Sequence, residues 1–481
     1  MYRRVALPPD ILAAATGAFL TLATIMAVSR YGAPKGLGLT IGGCVFVVVV
    51  SSFVLLPHVS VAGTIFYFAM LPTLKVFGSN LLGGTKDVIS LAAAAAALVL
   101  IVQRRAGRAP VRIDRAVLVL LAFVAMLYLL DIGGNLSGQS RYGLAWFHGV
   151  RLFAEPISLL LVGLSLRDPR RTFRWAASAL AITAVVVAAY GIFQQALGVD
   201  RLMSIGYTYG QEVRQIGPRL RSFGTLEEPF SYAGFLLLAV AVLVLRERLR
   251  ARSIAILAFV SLGLLFSYVR TAAVIVVALV GLFLAQRGNV RSALVLTAAA
   301  AIAAAAFIVG GSDVQSQRAV QVSPNKYLTL NGRTNVWSQA LGHSRSTWLL
   351  GRGVGAVGTA SQRANESLTG ATSTSQSPTA KRGTIVDSAY LAIATDIGFL
   401  GLAIFLALLG RLLLLSWRFA AAGAAEGWVA LGLLVVMLFD ALTRESLTGF
   451  PTAYVGMLLV GLALASAAVR AREEQLPVAT P

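Results

Sequence analysis

The sequence predicts an all-α polytopic membrane protein with about 12–14 transmembrane helices and a large extracytoplasmic loop between late spans. Three observations predict this. Of 481 residues, 57% are hydrophobic and only 13% are charged, against roughly 25% charged residues in an ordinary soluble domain. The mean hydropathy is +0.78. That leaves too little polar surface to wrap a water-soluble core and excludes soluble enzyme folds. Second, long apolar runs recur along the whole chain. They are continuous, without the apolar/polar alternation of lipid-facing strands, so helices are predicted over a barrel. Third, the formal net charge is +21, from 41 Lys+Arg and 20 Asp+Glu. In a chain that is mostly buried in lipid, this excess must lie in the loops, facing headgroups or an anionic substrate.

The apolar runs place spans near 11–29, 37–57, 60–77, 88–103, 116–131, 154–166, 175–197, 230–245, 253–269, 271–286, 292–310, 386–415, 427–443 and 450–469. The first follows Arg3 and Arg4, a pattern shared with signal peptides, but the run is long and lacks a convincing cleavage site. It reads as a first membrane helix. The run at 154–166 is short for a bilayer core of about 30 Å. Four short loops carry Arg104, Arg105, Arg108, Arg112 and Arg115; Arg167, Arg170, Arg171 and Arg174; Arg246, Arg248, Arg250 and Arg252; and Arg287 and Arg291. With fourteen spans these fall on the side of both termini, which the positive-inside rule makes the cytoplasm. The chain then divides into a membrane domain over 1–310, a large extracytoplasmic loop over 311–385 and C-terminal helices over 386–481. A further extracytoplasmic loop lies near 198–229.

Several function classes drop out. A single cysteine, Cys44, excludes a disulfide framework and a cysteine metal site. His58, His148 and His343 are too scattered for a histidine metal cluster. No loop on the cytoplasmic side is long enough for a nucleotide-binding domain and no P-loop is present, so this chain alone is not expected to pump at the expense of ATP.

The two long extracytoplasmic loops hold bases that topology does not require. Arg201, Arg214, Arg219 and Arg221 lie close together, and Arg270 sits alone between two apolar spans, where an arginine is costly unless it pairs or binds an anion. Residues 312–357 mix apolar, aromatic and basic residues and are expected to pack as short helices on the membrane domain. Residues 361–383 are polar and Ser/Thr-rich, the composition of a lid or a tether. Asn365-Glu366-Ser367 matches a glycosylation acceptor, a weak pattern, and the alanine tracts at 92–97 and 298–306 suit close helix packing.

Three stretches could carry chemistry. One is Arg219-Leu220-Arg221-Ser222-Phe223-Gly224-Thr225 through Glu227-Glu228-Pro229. Another is Tyr268-Val269-Arg270-Thr271. The last runs from Asn331-Gly332-Arg333 and Trp337 to Gly351-Arg352-Gly353-Val354-Gly355, followed by Val386-Asp387-Ser388-Ala389-Tyr390 and Gly398-Phe399-Leu400-Gly401. In this order and at these membrane positions, roughly 215–405 resembles the O-antigen ligase and Wzy-type polymerase family of polytopic glycosyltransferases. The family's Arg-x-x-Gly-Thr-Phe-x-x-Pro-Asn looks like Arg221 to Phe230, with Phe230 in place of Asn. Its Ser-Arg pair looks like Val269-Arg270, and its Arg-x-x-x-Trp and Gly-x-Gly look like Arg333, Trp337, Gly353 and Gly355. Ligases carry a His-Asn pair where Asp387-Ser388 stands here, a departure that favours a polymerase of repeat units over a ligase.

The resemblance implies transfer of a glycan from an undecaprenyl-diphosphate-linked donor to a glycan or lipid-glycan acceptor, on the extracytoplasmic face of a bacterial plasma (inner) membrane. It admits membrane lipids and other polysaccharide-assembly proteins as partners and implies no nucleic acid, no cofactor and no metal. The chemistry of the residues agrees. A diphosphate leaving group gains negative charge in the transition state, and fixed guanidinium forks stabilise it while staying charged. Arg221 and Arg270 are the first choices, with Arg219, Arg214 and Arg333 behind them and Trp337 and Tyr390 as sugar contacts. Asp387, at the mouth of a span, could take the proton of the acceptor hydroxyl, orient the acceptor or pair with an arginine. Glu227 and Glu228 are rival carboxylates, although Glu228-Pro229 also reads as a helix start. Gly353 and Gly355 read as a turn, and Trp337 and Trp348 equally suit interface anchors. The alternative is a transporter or flippase for an anionic lipid-linked substrate. Such a carrier would be expected to show acidic residues deep in several spans, for which the sequence offers Asp396 and Asp440.

Overall fold

The computed structural model describes residues 33–78, 80–105, 114–138, 140, 142–207, 215–216, 219–246, 250–288, 347–360, 388–442, 444 and 446–475. Within them the chain is an all-α polytopic membrane protein. Its helices are α1 (Ala33–Leu55), α2 (Pro57–Phe77), α3 (Thr85–Arg105), α4 (Arg115–Leu130), the single turn α5 (Ile132–Leu136), α6 (Leu144–Ser165) and α7 (Pro169–Ser204). A two-residue hairpin, β1 (Gln215–Ile216) and β2 (Arg219–Leu220), precedes α8 (Pro229–Leu245), α9 (Ala251–Leu265) and α10 (Arg270–Gln286). The chain closes with α11 (Ala389–Ala421), α12 (Ala425–Asp440) and α13 (Thr452–Gln475). Seven helices among the described residues are long and apolar enough to cross a membrane.

Every predicted span inside the described residues is helical. Those at 11–29 and 292–310 lie outside them, as do the strip at 361–383 and the glycosylation pattern at Asn365. The short span at 154–166 is corrected: α6 has 22 residues and starts at Leu144. Its first half carries His148 and Arg151, which break the apolar run that reading by hydropathy relies on. The loop predicted from 198 likewise starts later, because α7 continues to Ser204 across a kink at Gly198.

The core is a bundle around α8 and α13. Every residue of α8 from Ser231 to Val242 is buried, as are all residues of α13 from Thr452 to Ala467. Helix α13 lies along α6 at backbone contact. A Cβ on Gly163 would stand 2.5 Å from the Leu458 carbonyl, and one on Gly461 would stand 2.4 Å from the Leu160 carbonyl. Only two glycines facing one another allow this approach, which lipid-embedded helices use because dispersion contacts replace the hydrophobic drive.

The short basic loops gather at one end of the bundle. Arg170 pairs with Glu473 of α13, and Arg411 of α11 pairs with Asp114 at 2.6 Å. Asp114 also caps α4 by accepting the Val117 N–H. The Arg411 guanidinium holds the Asp114 carboxyl below its ordinary value. A depressed folded-state value stabilises the fold above the unfolded value of about 3.9, and that contribution disappears as pH falls through the folded value. Asp114→Asn keeps the cap and removes the charge. We expect it to lower the melting temperature at pH 7 by an amount equivalent to about 0.5–1 kcal/mol, and the deficit should shrink towards pH 3 in a thermal unfolding series.

Candidate functional site

The other end of the bundle carries the arginine-rich stretch around Arg221. Gln194, fully buried in α7, accepts from the backbone N–H groups of Phe223 (3.0 Å) and Gly224 (2.9 Å) and donates to the Gly224 carbonyl (2.9 Å). Gln195 donates to the Leu220 carbonyl and to Ser222 Oγ. Thr225 donates to the Ala69 carbonyl of α2, and its own carbonyl accepts from the Thr73 N–H and hydroxyl. A buried loop persists only when its polar backbone is satisfied this way. Gly224 has φ +56°, and a Cβ there would meet the Tyr232 ring at 2.6 Å; the motif's glycine is required by both the turn and the packing.

This clamped loop presents Arg221, which is buried. Its Nε donates to the Ser267 carbonyl at 3.1 Å, and its guanidinium lies over the Phe230 ring, 4.6 Å from the centroid. A second guanidinium, that of Arg444, lies 5.5 Å from the same ring. Phe230, the residue that replaces the family's asparagine, is thus an aromatic plate shared by two cations. Arg444 is held by Glu228 at 2.9 Å, Asp440 at 3.3 Å and Ser231 Oγ at 3.1 Å. The helix start expected at Glu228-Pro229 is present, and Glu228 also serves Arg444. Glu227 pairs with Lys75 of α2 at 2.6 Å.

The remaining predicted residues relate to this plate as follows. Ser222 N–H donates to the Phe266 carbonyl at 2.8 Å, so the Arg221 loop is stitched to the turn that leads, through Tyr268 with φ +51°, into Arg270 at the first position of α10. Arg219 is on β2, and its side chain, like that of Arg270, lies outside the description. Arg214, Arg333, Trp337 and Asp387 lie outside the described residues. Ser388, which follows Asp387, donates to the Ala441 carbonyl, and the Ala389 N–H donates to the carbonyls of Ala441 and Arg444. The start of α11 is therefore fastened to the segment that bears Arg444. Tyr390 is half-buried and donates its hydroxyl to the Leu438 carbonyl at 2.9 Å, joining α11 to α12.

The helices that meet here are short. Helices α8, α9, α10 and α12 have 17, 15, 17 and 16 residues, which at about 1.5 Å per residue gives roughly 22–26 Å. A bilayer core is about 30 Å thick. The starts of α8 and α10 and the ends of α9 and α12 lie at the end of the bundle that holds Phe230.

The glycine run forms the expected turn. Gly353 and Gly355 have φ of +112° and +77°. The Val354 N–H donates to Asp131 Oδ1 at 2.8 Å and the Gly355 N–H to Asp396 Oδ1 at 3.1 Å. Asp396 is thus bound to this strap at the mouth of α11, and Asp440 is the partner of Arg444. Trp348 is exposed, with its ring beside Phe399, as suits an interface position.

A second charged cluster corrects the expectation that Asp396 and Asp440 are the acidic residues available within spans. Glu155 of α6 is buried against Lys86 of α3 at 2.9 Å and accepts from Tyr454 of α13. Lys86 and Arg151 also hold Asp87, at 2.7 and 2.9 Å. Two bases face two acids, so the cluster neutralises itself. Lys86 and Asp87 stand just before the span predicted at 88–103, and Arg151 just before the one at 154–166, so a reading by hydropathy left them outside both. Arg444, Gln194 and Gln195 were missed for a related reason: nothing local in the sequence ties them to Arg221.

Residues 254–406 match the family model described as O-Antigen ligase, which bears out the resemblance read from the motifs. The match takes in Arg270, Arg333, Trp337, Asp387 and Tyr390, with Arg221 before it and Arg444 after it. No curated protein matches the chain. The family supports an O-antigen ligase or polymerase type of function in polysaccharide biosynthesis, on lipid-linked glycans within a membrane.

Gln194→Leu keeps the volume but leaves two buried N–H groups and one carbonyl without partners. At about 1–3 kcal/mol for each unsatisfied group, the variant should melt several degrees lower, and the loop at 220–226 should exchange amide hydrogens faster than the rest of the bundle. Unchanged exchange there would show that Gln194 does not hold the loop.

Proposed function

Taking the O-antigen ligase family match as premise, we propose that this chain polymerises or transfers glycan from an undecaprenyl-diphosphate-linked donor to a sugar hydroxyl, at the extracytoplasmic face of a bacterial plasma membrane with both termini cytoplasmic and without a metal ion. The observation that carries the reading is the convergence of three chain segments on Phe230: the Arg221 loop, the turn leading to Arg270, and the Arg444 segment fastened to the residue after Asp387.

In this scheme the donor's diphosphate sits against Arg221, with Arg270, Arg219, Arg214 and Arg333 contributing further cationic contacts. The acceptor hydroxyl oxygen attacks the anomeric carbon, and the bond from that carbon to the diphosphate oxygen breaks. The guanidinium groups take up the charge that develops on the leaving diphosphate. Asp387 receives the hydroxyl proton, and Trp337 and Tyr390 flank the sugars. Arg444 is a positioning residue: its salt bridges to Glu228 and Asp440 fix the plate on which Arg221 rests. A polymerase of repeat units is favoured over a ligase, because Asp387 stands where ligases carry histidine.

The transporter reading draws on the ionic cluster at Lys86 and Glu155, since intramembrane charges mark transport paths. Its internal neutrality and its tight pairing with Tyr454 favour a structural role. Purified protein in detergent, given a lipid-diphosphate oligosaccharide, should lengthen or transfer it without nucleotide. Arg221→Ala and Asp387→Asn should each lower the rate at least about a hundredfold, in line with the loss of one transition-state donor, while membrane insertion stays normal. Arg444→Lys should retain more activity than Arg444→Ala. Lipid movement across proteoliposomes without any glycan product, abolished by Glu155→Gln, would replace the enzyme reading with the carrier.

A further inference from the structure

The end of the bundle opposite Phe230 holds a basic hollow that the reaction does not use. One chamber, of about 570 Å³, is lined by Arg170, Arg171, Arg174, Arg246 and Arg470, with Asp168 and Glu426 as its acids. A second, of about 690 Å³, adds Arg250 and Arg287. Arg246 and Arg470 line both chambers. The bases come from the start of α7, the end of α8, the approach to α9, the end of α10 and the last turns of α13. A general bias of basic loops to one side of a membrane explains their sign but not their convergence on one concavity.

The two acids are already engaged. Asp168 caps α7 by accepting the Arg171 N–H, and Glu426 faces Arg470 at 3.6 Å and accepts from Ser466. Among the described residues, no carboxylate pairs with Arg171, Arg174, Arg250 or Arg287. Exposed tryptophans stand near its lining residues along the chain. Trp175, next to Arg174, is 50% exposed, and Trp417, whose ring packs 5.8 Å from that of Trp428 near the start of α12, is 52% exposed. Exposed tryptophans at helix ends mark the headgroup level.

We infer that this hollow binds a phosphate-bearing lipid headgroup from the leaflet on that face, and that its two joined chambers suit a headgroup with two phosphodiesters, as in diphosphatidylglycerol. Each chamber takes one phosphate, and Arg246 and Arg470 lie between them. Guanidinium forks match phosphate oxygens in pairs, and basic pockets between membrane helices recognise such headgroups. The inference is independent of the reaction at the other end of the bundle.

Native mass spectrometry of the full-length protein in detergent tests it, with diphosphatidylglycerol, phosphatidylglycerol, phosphatidylethanolamine and inorganic pyrophosphate as probes. The expected order of retention is diphosphatidylglycerol above phosphatidylglycerol, with phosphatidylethanolamine at least tenfold weaker than the first. Arg171→Gln/Arg174→Gln/Arg250→Gln, which removes no ion pair among the described residues, should lower diphosphatidylglycerol retention at least tenfold and leave the lipid-free melting temperature unchanged. Arg246→Lys/Arg470→Lys should give an intermediate loss. If pyrophosphate binds and is lost in the same variants while both anionic lipids are rejected, the phosphate site stands and its ligand comes from the aqueous phase. Equal retention of phosphatidylethanolamine and diphosphatidylglycerol by wild-type protein, or undiminished diphosphatidylglycerol binding in the triple variant, overturns the inference.

Discussion

The Arg221 guanidinium, lying on the Phe230 ring and bonded to the Ser267 carbonyl, is the contact around which the site is organised. An arginine buried at the rim of a bilayer is expensive to maintain. Here aromatic and carbonyl groups replace part of its hydration. Arg444 shares the ring and is held by Glu228 and Asp440.

Placement of that contact depends on two constraints working together. The buried amide of Gln194 satisfies the loop backbone, and the hydroxyls of Ser222 and Thr225 donate to carbonyls of α7 and α2. Around it lie the starts of α8 and α10 and the ends of α9 and α12. Packing deeper in the bundle, above all the Gly163–Gly461 contact between α6 and α13, supplies the rigid frame. The ionic cluster of Lys86, Asp87, Arg151 and Glu155 pins α3, α6 and α13 together from within. Its charges cost desolvation energy, and mutual pairing offsets this cost.

Much of the fold was legible because lipid imposes a simple rule: a span must be a continuous apolar run. The rule failed where the run was interrupted by polar and charged residues, as in α6, whose His148 and Arg151 concealed the first half of the helix. Motif order made Arg221 and Arg270 candidates because their types and spacing are local properties. Arg444 and Gln194 were illegible because their roles arise from contacts across more than 200 and about 30 residues of chain, which no local pattern records. Phe230 was visible only as a departure from the family pattern. Its meaning, a ring between two guanidinium groups, is a property of three-dimensional proximity. Gly224 shows the intermediate case: the sequence marks a turn, while the structure adds the close approach of Tyr232.

The central claim is that Arg221 grips a polyprenyl diphosphate at this end of the bundle. Equilibrium binding of undecaprenyl diphosphate and of undecaprenol to the purified protein, compared between wild type and Arg221→Ala, tests it most directly. The account predicts that the diphosphate binds at least about tenfold more weakly to the variant, as expected for the loss of a charge-assisted hydrogen bond, while the uncharged alcohol binds both proteins alike. Equal affinity of the diphosphate for the two proteins, with both correctly folded, would contradict it.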